Sequence, residues 1–406
     1  MKFYNKINIE KEQRRILLSS FAAISGVGLL SYAALPFLIG STMVSLNLNE
    51  ASVGLLYSLE FITAALSSFI VAPKIGKIKR KNLAFIGAFI VILGNIISAW
   101  WSNYEFLLVI RPLTGIGAGL ALACGNATIA NAKHPDKVAG MMNVLFAAML
   151  LLLMLLLPLL SVSLGMQGVF LGLAAVTLIF LIMLIQMPQR AITSDSAISS
   201  TKTNNTVVFS IAGIAIFAVF FMFTLRDSMA WGFAERIGIA VGYTTTEVGG
   251  LLSLQAFLGL VGPIIAAIIG FKFGAKFPLL FGLVFAGLTT YAIFLSVNAP
   301  YLFEVAVLLW TASYFFAISY MTAYAATLDG EGRIVAASGS ALVLGVAVGP
   351  ALSGYIIYYG GYAMGAGVTL ALVFAMIIAA LVSLKWSANL KGSGRTDSKS
   401  STNNNS

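Results

Sequence analysis

The chain has 406 residues, 59% of them hydrophobic and only 9% charged, where a soluble domain carries about 25% charged residues. This excludes a soluble enzyme or a nucleic-acid-binding domain and requires a membrane protein that crosses the bilayer many times. The formal net charge of +10 reflects topology: with the amino terminus inside, all but three of the 24 Lys and Arg (Arg111, Arg226 and Arg236) fall in segments predicted to be cytoplasmic.

Residues 1–15 are basic and read as a cytoplasmic N-terminus, with no cleavable signal expected. Twelve apolar segments, each long enough to cross ~30 Å of hydrocarbon, follow. They lie near 16–46, 51–73, 82–102, 105–130, 138–163, 168–187, 207–235, 246–270, 277–297, 301–327, 334–358 and 362–385. The first carries Tyr32 and Pro36 near mid-depth. In the second, Glu60 sits roughly nine residues in, or about 14 Å deep at 1.5 Å per residue. The basic loop from Lys74 to Lys81 leads to the third, whose outer end has Trp100 and Trp101 at interface depth.

The fourth segment holds Arg111, about 9 Å deep by the same rise. A ladder of small residues follows it, Gly115, Gly117, Gly119, Ala121, Ala123 and Gly125, of the kind that lets helix backbones approach closely. Asn126 lies further in, and the lone Cys124 is intramembrane, so no disulfide framework is expected. The one histidine, His134, sits in a polar loop without partners for a metal, and neither a metal site nor a cofactor is expected. Residues 188–206, rich in Ser, Thr and Asn, read as a flexible cytoplasmic linker between six-segment bundles at 16–187 and 207–386.

The seventh segment has adjacent Arg226 and Asp227, placed by residue count near the outer hydrocarbon boundary. They read either as an interfacial pair with a snorkelling arginine or as an outer gate or substrate anchor. Glu235, Arg236 and Glu304 are expected to be solvated beyond it. The eighth opens VGGLLSLQ from Val248 to Gln255, matching VGLLYSLE from Val53 to Glu60 at an offset of 195 residues, six segments away. The two copies therefore share an orientation, as in transporters built from parallel repeats. Ser313, Tyr320 and Tyr324 of the tenth share one helical face. Residues 387–406 read as a disordered cytoplasmic tail.

Arg111, Gly115, Gly117 and Gly119 form R-x-x-x-G-x-G-x-G in the fourth segment, and Gly345, Gly349, Pro350 and Gly354 form GxxxGPxxxG in the eleventh. With the span count, these make residues 16–386 resemble a major facilitator superfamily transporter. The resemblance implies an all-α integral membrane fold of twelve transmembrane helices in two parallel six-helix pseudo-repeats. It also implies a cavity lined by the first, fourth, seventh and tenth segments. That family's second–third loop signature is only partly present: Gly76 and the basic cluster remain, while Pro73 stands at the acid position and Phe69 at the first glycine.

The substrate and ion pathway is expected to use Arg111, Glu60, Arg226, Asp227, Tyr32, Asn126, Gln255 and Tyr320. Arginine and carboxylate within reach suggest a buried pair, acting either as a proton-linked switch or as a permanent clamp. Without a phosphate loop, a metal cluster or a nucleophile–base pair, neither a pump nor an intramembrane enzyme is expected. The expected function is proton-coupled transport of a small organic anion or amphipathic metabolite. The alternatives are a proton-driven exporter of hydrophobic compounds, disfavoured by the missing GxxxGPxxGG pattern in the fifth segment, and a sensor that binds without flux. A monomer in the plasma membrane is expected, with both termini cytoplasmic, and with the lipid bilayer, a small solute and protons as partners.

Overall fold

The computed structural model describes residues 2–101, 103–189, 209–270, 272, 274, 276–329 and 333–400, and among these there are helices and turns but no strand. The linker reading falls mainly on 190–208, outside the described residues. The first segment is composite: α1 (Lys2–Phe21), a π-helical turn (Ala22–Gly28), α2 (Leu30–Ala33) and α3 (Leu35–Leu46). Then come α4 (Glu50–Val71), α5 (Arg80–Trp100), α6 (Tyr104–Ala130) and α7 (Pro135–Leu184). The second half contains α8 (Ile211–Val241), α9 (Thr245–Leu258), α10 (Val261–Ile269), α11 (Lys276–Leu295), α12 (Leu302–Leu328) and α13 (Arg333–Ser400). The tail read as disordered from 387 continues α13 as far as Ser400, and 401–406 lie outside the described residues.

Nine helices among the described residues are long and apolar enough to cross a membrane. Two exceed any bilayer: the 50 residues of α7 would span ~75 Å if straight. Gly165 (φ 60) and Gly361 (φ 67) fold α7 and α13 into hairpins, in backbone conformations that side-chain-bearing residues rarely adopt. These two doubled helices and the composite first segment account for the twelve segments read in the sequence. Helix ends are marked by polar caps that accept otherwise orphaned backbone N–H groups. Asn49 accepts from Ser52 N at 2.8 Å, Ser210 from Gly213 N at 3.1 Å, and Thr244 and Glu247 form a reciprocal capping box.

Within each half, glycines set how closely helices approach. A Cβ on Gly115 or Gly119 would strike the α4 backbone at Glu60 O or Ala64 O, and one on Gly117 would strike Gly87 O of α5. Two hydroxyls fasten the same seam: Thr63 donates to Pro112 O at 2.8 Å and Ser67 to Ile116 O at 3.1 Å. Lipid is no more apolar than leucine, so this association depends on close packing and interhelical hydrogen bonds. Gly345 and Gly349 play the matching part in the second half, against Thr224 and Ser228 of α8.

Call the side where α1 begins the terminal face, and the side of the α3–α4 and α8–α9 turns the far face. The halves meet along α3–α8, α4–α13 and α7–α9. Ala351 N donates to Ser58 Oγ at 2.8 Å, Ser253 Oγ to Leu151 O at 3.1 Å, and Trp231 Nε1 to Tyr32 O at 2.7 Å. Gly54 lies under Pro350 O, Gly354 under Glu50 O, and Gly249 against Met154 O and Pro158. Among the described residues, every hydrogen bond between the halves, and every such glycine contact, falls from mid-membrane towards the far face.

Candidate functional site

Arg111 of α6 is fully buried, and each N–H of its guanidinium is occupied. Nε donates to Glu60 Oε2 at 3.0 Å and Nη2 to Glu60 Oε1 at 2.7 Å. Nη1 donates to Asn95 Oδ1 at 2.9 Å and Ser98 Oγ at 3.4 Å, and Nη2 also reaches Ser31 Oγ at 3.4 Å. The rings of Phe170 and Tyr57 close over it at 5.0 and 6.0 Å. Helices α2, α4, α5 and α6 thus meet at one charge pair, and Arg111 has no donor left for a solute.

Arg226 is also fully buried, which corrects the interfacial, snorkelling placement. Helix α8 extends to Val241, six residues past the predicted end, so Arg226 lies at its midpoint rather than near its outer limit. Its Nη1 donates to Ala286 O at 2.9 Å and to Thr290 Oγ1 of α11, with the Phe223 ring 4.5 Å away. Nε and Nη2 find no partner among the described residues. Asp227, one residue on, turns elsewhere: its Oδ1 accepts from Trp310 Nε1 at 2.7 Å and lies 3.9 Å from Arg226.

The 195-residue offset recurs in these clusters. Asn95 and Thr290 are equivalent and each accepts from its half's buried arginine; Ser31 and Arg226 are equivalent, as are Glu60 and Gln255. Gln255 is fully buried, with neither amide atom partnered among the described residues.

Between the clusters, where the halves meet near mid-membrane, stands a group of aromatic rings. Tyr32 meets Phe61 edge-on at 5.8 Å in the first half, and Trp231 meets Trp310 at 5.7 Å in the second. Phe223 and Tyr314 lie 4.9 Å apart behind them. The Tyr32 hydroxyl lies near Ser228 and Asp227 across the junction. Asp227 is the carboxylate that reaches this group, with 13% of its side chain exposed and no hydrogen bond to Oδ2 among the described residues.

Other expected residues lie apart. Tyr320 is drawn out of the cavity face because a phenol in hydrocarbon needs an acceptor: its hydroxyl donates to Gly270 O at 2.9 Å, a carbonyl at the end of α10. Ser313 bonds Thr289 of α11 at 3.1 Å and Tyr324 bonds Ser383 of α13 at 3.1 Å, so the shared face packs on helices. Asn126 is exposed in the terminal half of α6, away from both clusters. Glu235, expected to be solvated, is buried against Gly40, with Arg236 at 2.5 Å and Thr245 at 3.1 Å. Trp231 and Trp310 were not anticipated: Trp231 stands four residues from the predicted segment end at 235, at the depth of an interface residue, and only Trp310 lies well inside its segment.

A family model described as Major Facilitator Superfamily matches residues 16–340. Among solved structures, the D323A mutant of the nucleoside transporter NupG superposes with a TM-score of 0.70 at 15% identity, covering 92% of this chain and 99% of that one. A bacterial homologue of the human lysosomal transporter Spinster, inward-facing and unoccupied, gives 0.67 at 15% identity, covering 93% and 96%. Such identities establish likeness of fold. No curated protein matches the chain significantly.

Proposed function

This chain belongs to the Major Facilitator Superfamily, and we propose that it carries a small amphipathic metabolite across the plasma membrane by alternating access, coupled to protons. The observation that supports this best is the confinement of the inter-half bonds to the region from mid-membrane to the far face. A chain so joined presents its central aromatic group towards the terminal face. Basic residues concentrate on that face, so the positive-inside rule makes it cytoplasmic and the conformation inward-open. The amphipathic branch of the substrate expectation is favoured over the anion branch. Arg111 is fully engaged by Glu60 and its neighbours, and Arg226 is buried while Asp227 is the charge that reaches the junction.

Coupling is assigned to Glu60. Two residues earlier on α4, Ser58 holds α13 across the junction, so a protonation that loosens the Glu60–Arg111 pair acts beside a gate contact. Uptake by proteoliposomes tests both parts: vesicles meet a pool of metabolites, and lumenal contents are read by mass spectrometry with and without a pH gradient. At least one compound is expected to be enriched over protein-free vesicles in a gradient-dependent way. Glu60→Gln should lose the gradient dependence, and Glu60→Asp, which keeps the acid, should retain it. Compounds that bind the protein in detergent but never enter the lumen would make it a sensor instead.

A further inference from the structure

We propose that the solute held between the halves is uncharged overall and carries a flat ring together with an N–H or O–H donor that meets Asp227 Oδ2. This deepens the transport reading and rests on it, since the residues are those of the same central group. Geometry supplies the ring and the donor. Trp231, Trp310, Tyr32 and Phe61 present apolar faces and edges from both halves. Within that group Asp227, 9% exposed, offers an oxygen that accepts no hydrogen bond among the described residues. Carboxylate oxygens accept only, so the complementary group must donate. Apolar walls with a few placed polar atoms are the usual form of a small-molecule site.

Charge decides the rest. In the first half Glu60 faces Arg111 at 2.7 Å, and in the second Asp227 lies 3.9 Å from Arg226, so each of the two mid-membrane arginines has one acid. The membrane core is thus balanced before any solute arrives. A cation at Asp227 would share the acid that offsets Arg226 and leave a net charge in a low-dielectric site, which is costly. An anion would meet the partly exposed Asp227 carboxylate first, whereas Arg226, although its Nε and Nη2 have no partner among the described residues, is fully buried with Nη1 on Thr290 and Ala286. An uncharged donor preserves the balance.

One indole scaffold in three charge states tests this: tryptophol (neutral), tryptamine (cationic) and indole-3-acetate (anionic). Binding is read as thermal stabilisation of the purified full chain in detergent, followed with a thiol-reactive dye. Cys124 is the one cysteine in the sequence and is fully buried, so dye reaction reports unfolding. Tryptophol should stabilise the protein at concentrations roughly tenfold below those needed by either charged analogue. Asp227→Asn should reverse the order in favour of indole-3-acetate, because Arg226 then lacks its acid. The ranking in the unmutated protein stands whether or not that variant folds. A ranking led by tryptamine or indole-3-acetate, or no stabilisation by any of the three, overturns the proposal and leaves metabolite flux in vesicles untouched. Tryptophol-led binding with no lumenal enrichment of any metabolite would remove the transport reading, and the proposal with it.

Discussion

Arg111 and Glu60 form a unit in which neither side chain can be lost alone. Removing the acid leaves a buried guanidinium uncompensated, a change that costs about 3–5 kcal/mol in buried pairs. Glu60→Gln is therefore expected to lower stability in detergent by that order, read from denaturation monitored at Cys124. Replacing both partners by apolar residues (Glu60→Leu with Arg111→Met) should cost clearly less than the single change, because no charge is left stranded. Equal losses in the two variants would show that the charge pair is not what holds these helices. At this scale much was legible: ionisable residues in apolar segments are few, and residue count put Glu60 and Arg111 within one side chain's reach. Arg226 was misplaced because depth was counted to a predicted end at 235, whereas α8 runs to Val241. Polar residues such as Glu235 and Arg236 read as solvated in composition while remaining helical, Glu235 buried and Arg236 half-buried.

Elements associate here through missing side chains. Gly119 leaves room for Ala64 O and Ser67 Oγ of α4, so Gly119→Val should overpack the α4–α6 seam and cost about 1–3 kcal/mol or more. The junction between halves uses the same device twice, in equivalent places: Gly54 and Ser58 against α13, and Gly249 and Ser253 against α7. Enlarging Gly54 or Gly249 to valine should spare each half and weaken the junction. The expected result is greater labelling of cysteines placed on the far face, with thermal stability nearly unchanged; unchanged labelling would contradict a gate there. The VGLLYSLE and VGGLLSLQ match marked the two stretches as equivalent copies, but nothing in it said that they are where the halves touch. The π-helical turn at Ala22–Gly28 and the break between α9 and α10 left no such trace. Apolar composition alone does not distinguish a bent segment from a straight one.

At the scale of the molecule, two pseudo-equivalent halves share a fold and differ in chemistry. The first holds its arginine on α6 with an acid on α4; the second holds it on α8, with Gln255 where the acid would stand. Sequence patterns conveyed the architecture because segment count, loop charge and repeat offset are properties of the whole chain. They did not convey the aromatic meeting point, whose members come from four segments and share no spacing. The most direct test of alternation between the halves is metabolite uptake by vesicles carrying Ser58→Cys with Ala351→Cys, a pair joined by a 2.8 Å backbone-to-hydroxyl contact in the native chain. Oxidation should tie α4 to α13 and abolish uptake, and reduction should restore it to the level of the unlinked protein. Uptake that proceeds equally with the crosslink formed and broken would contradict a mechanism in which the halves part at this junction.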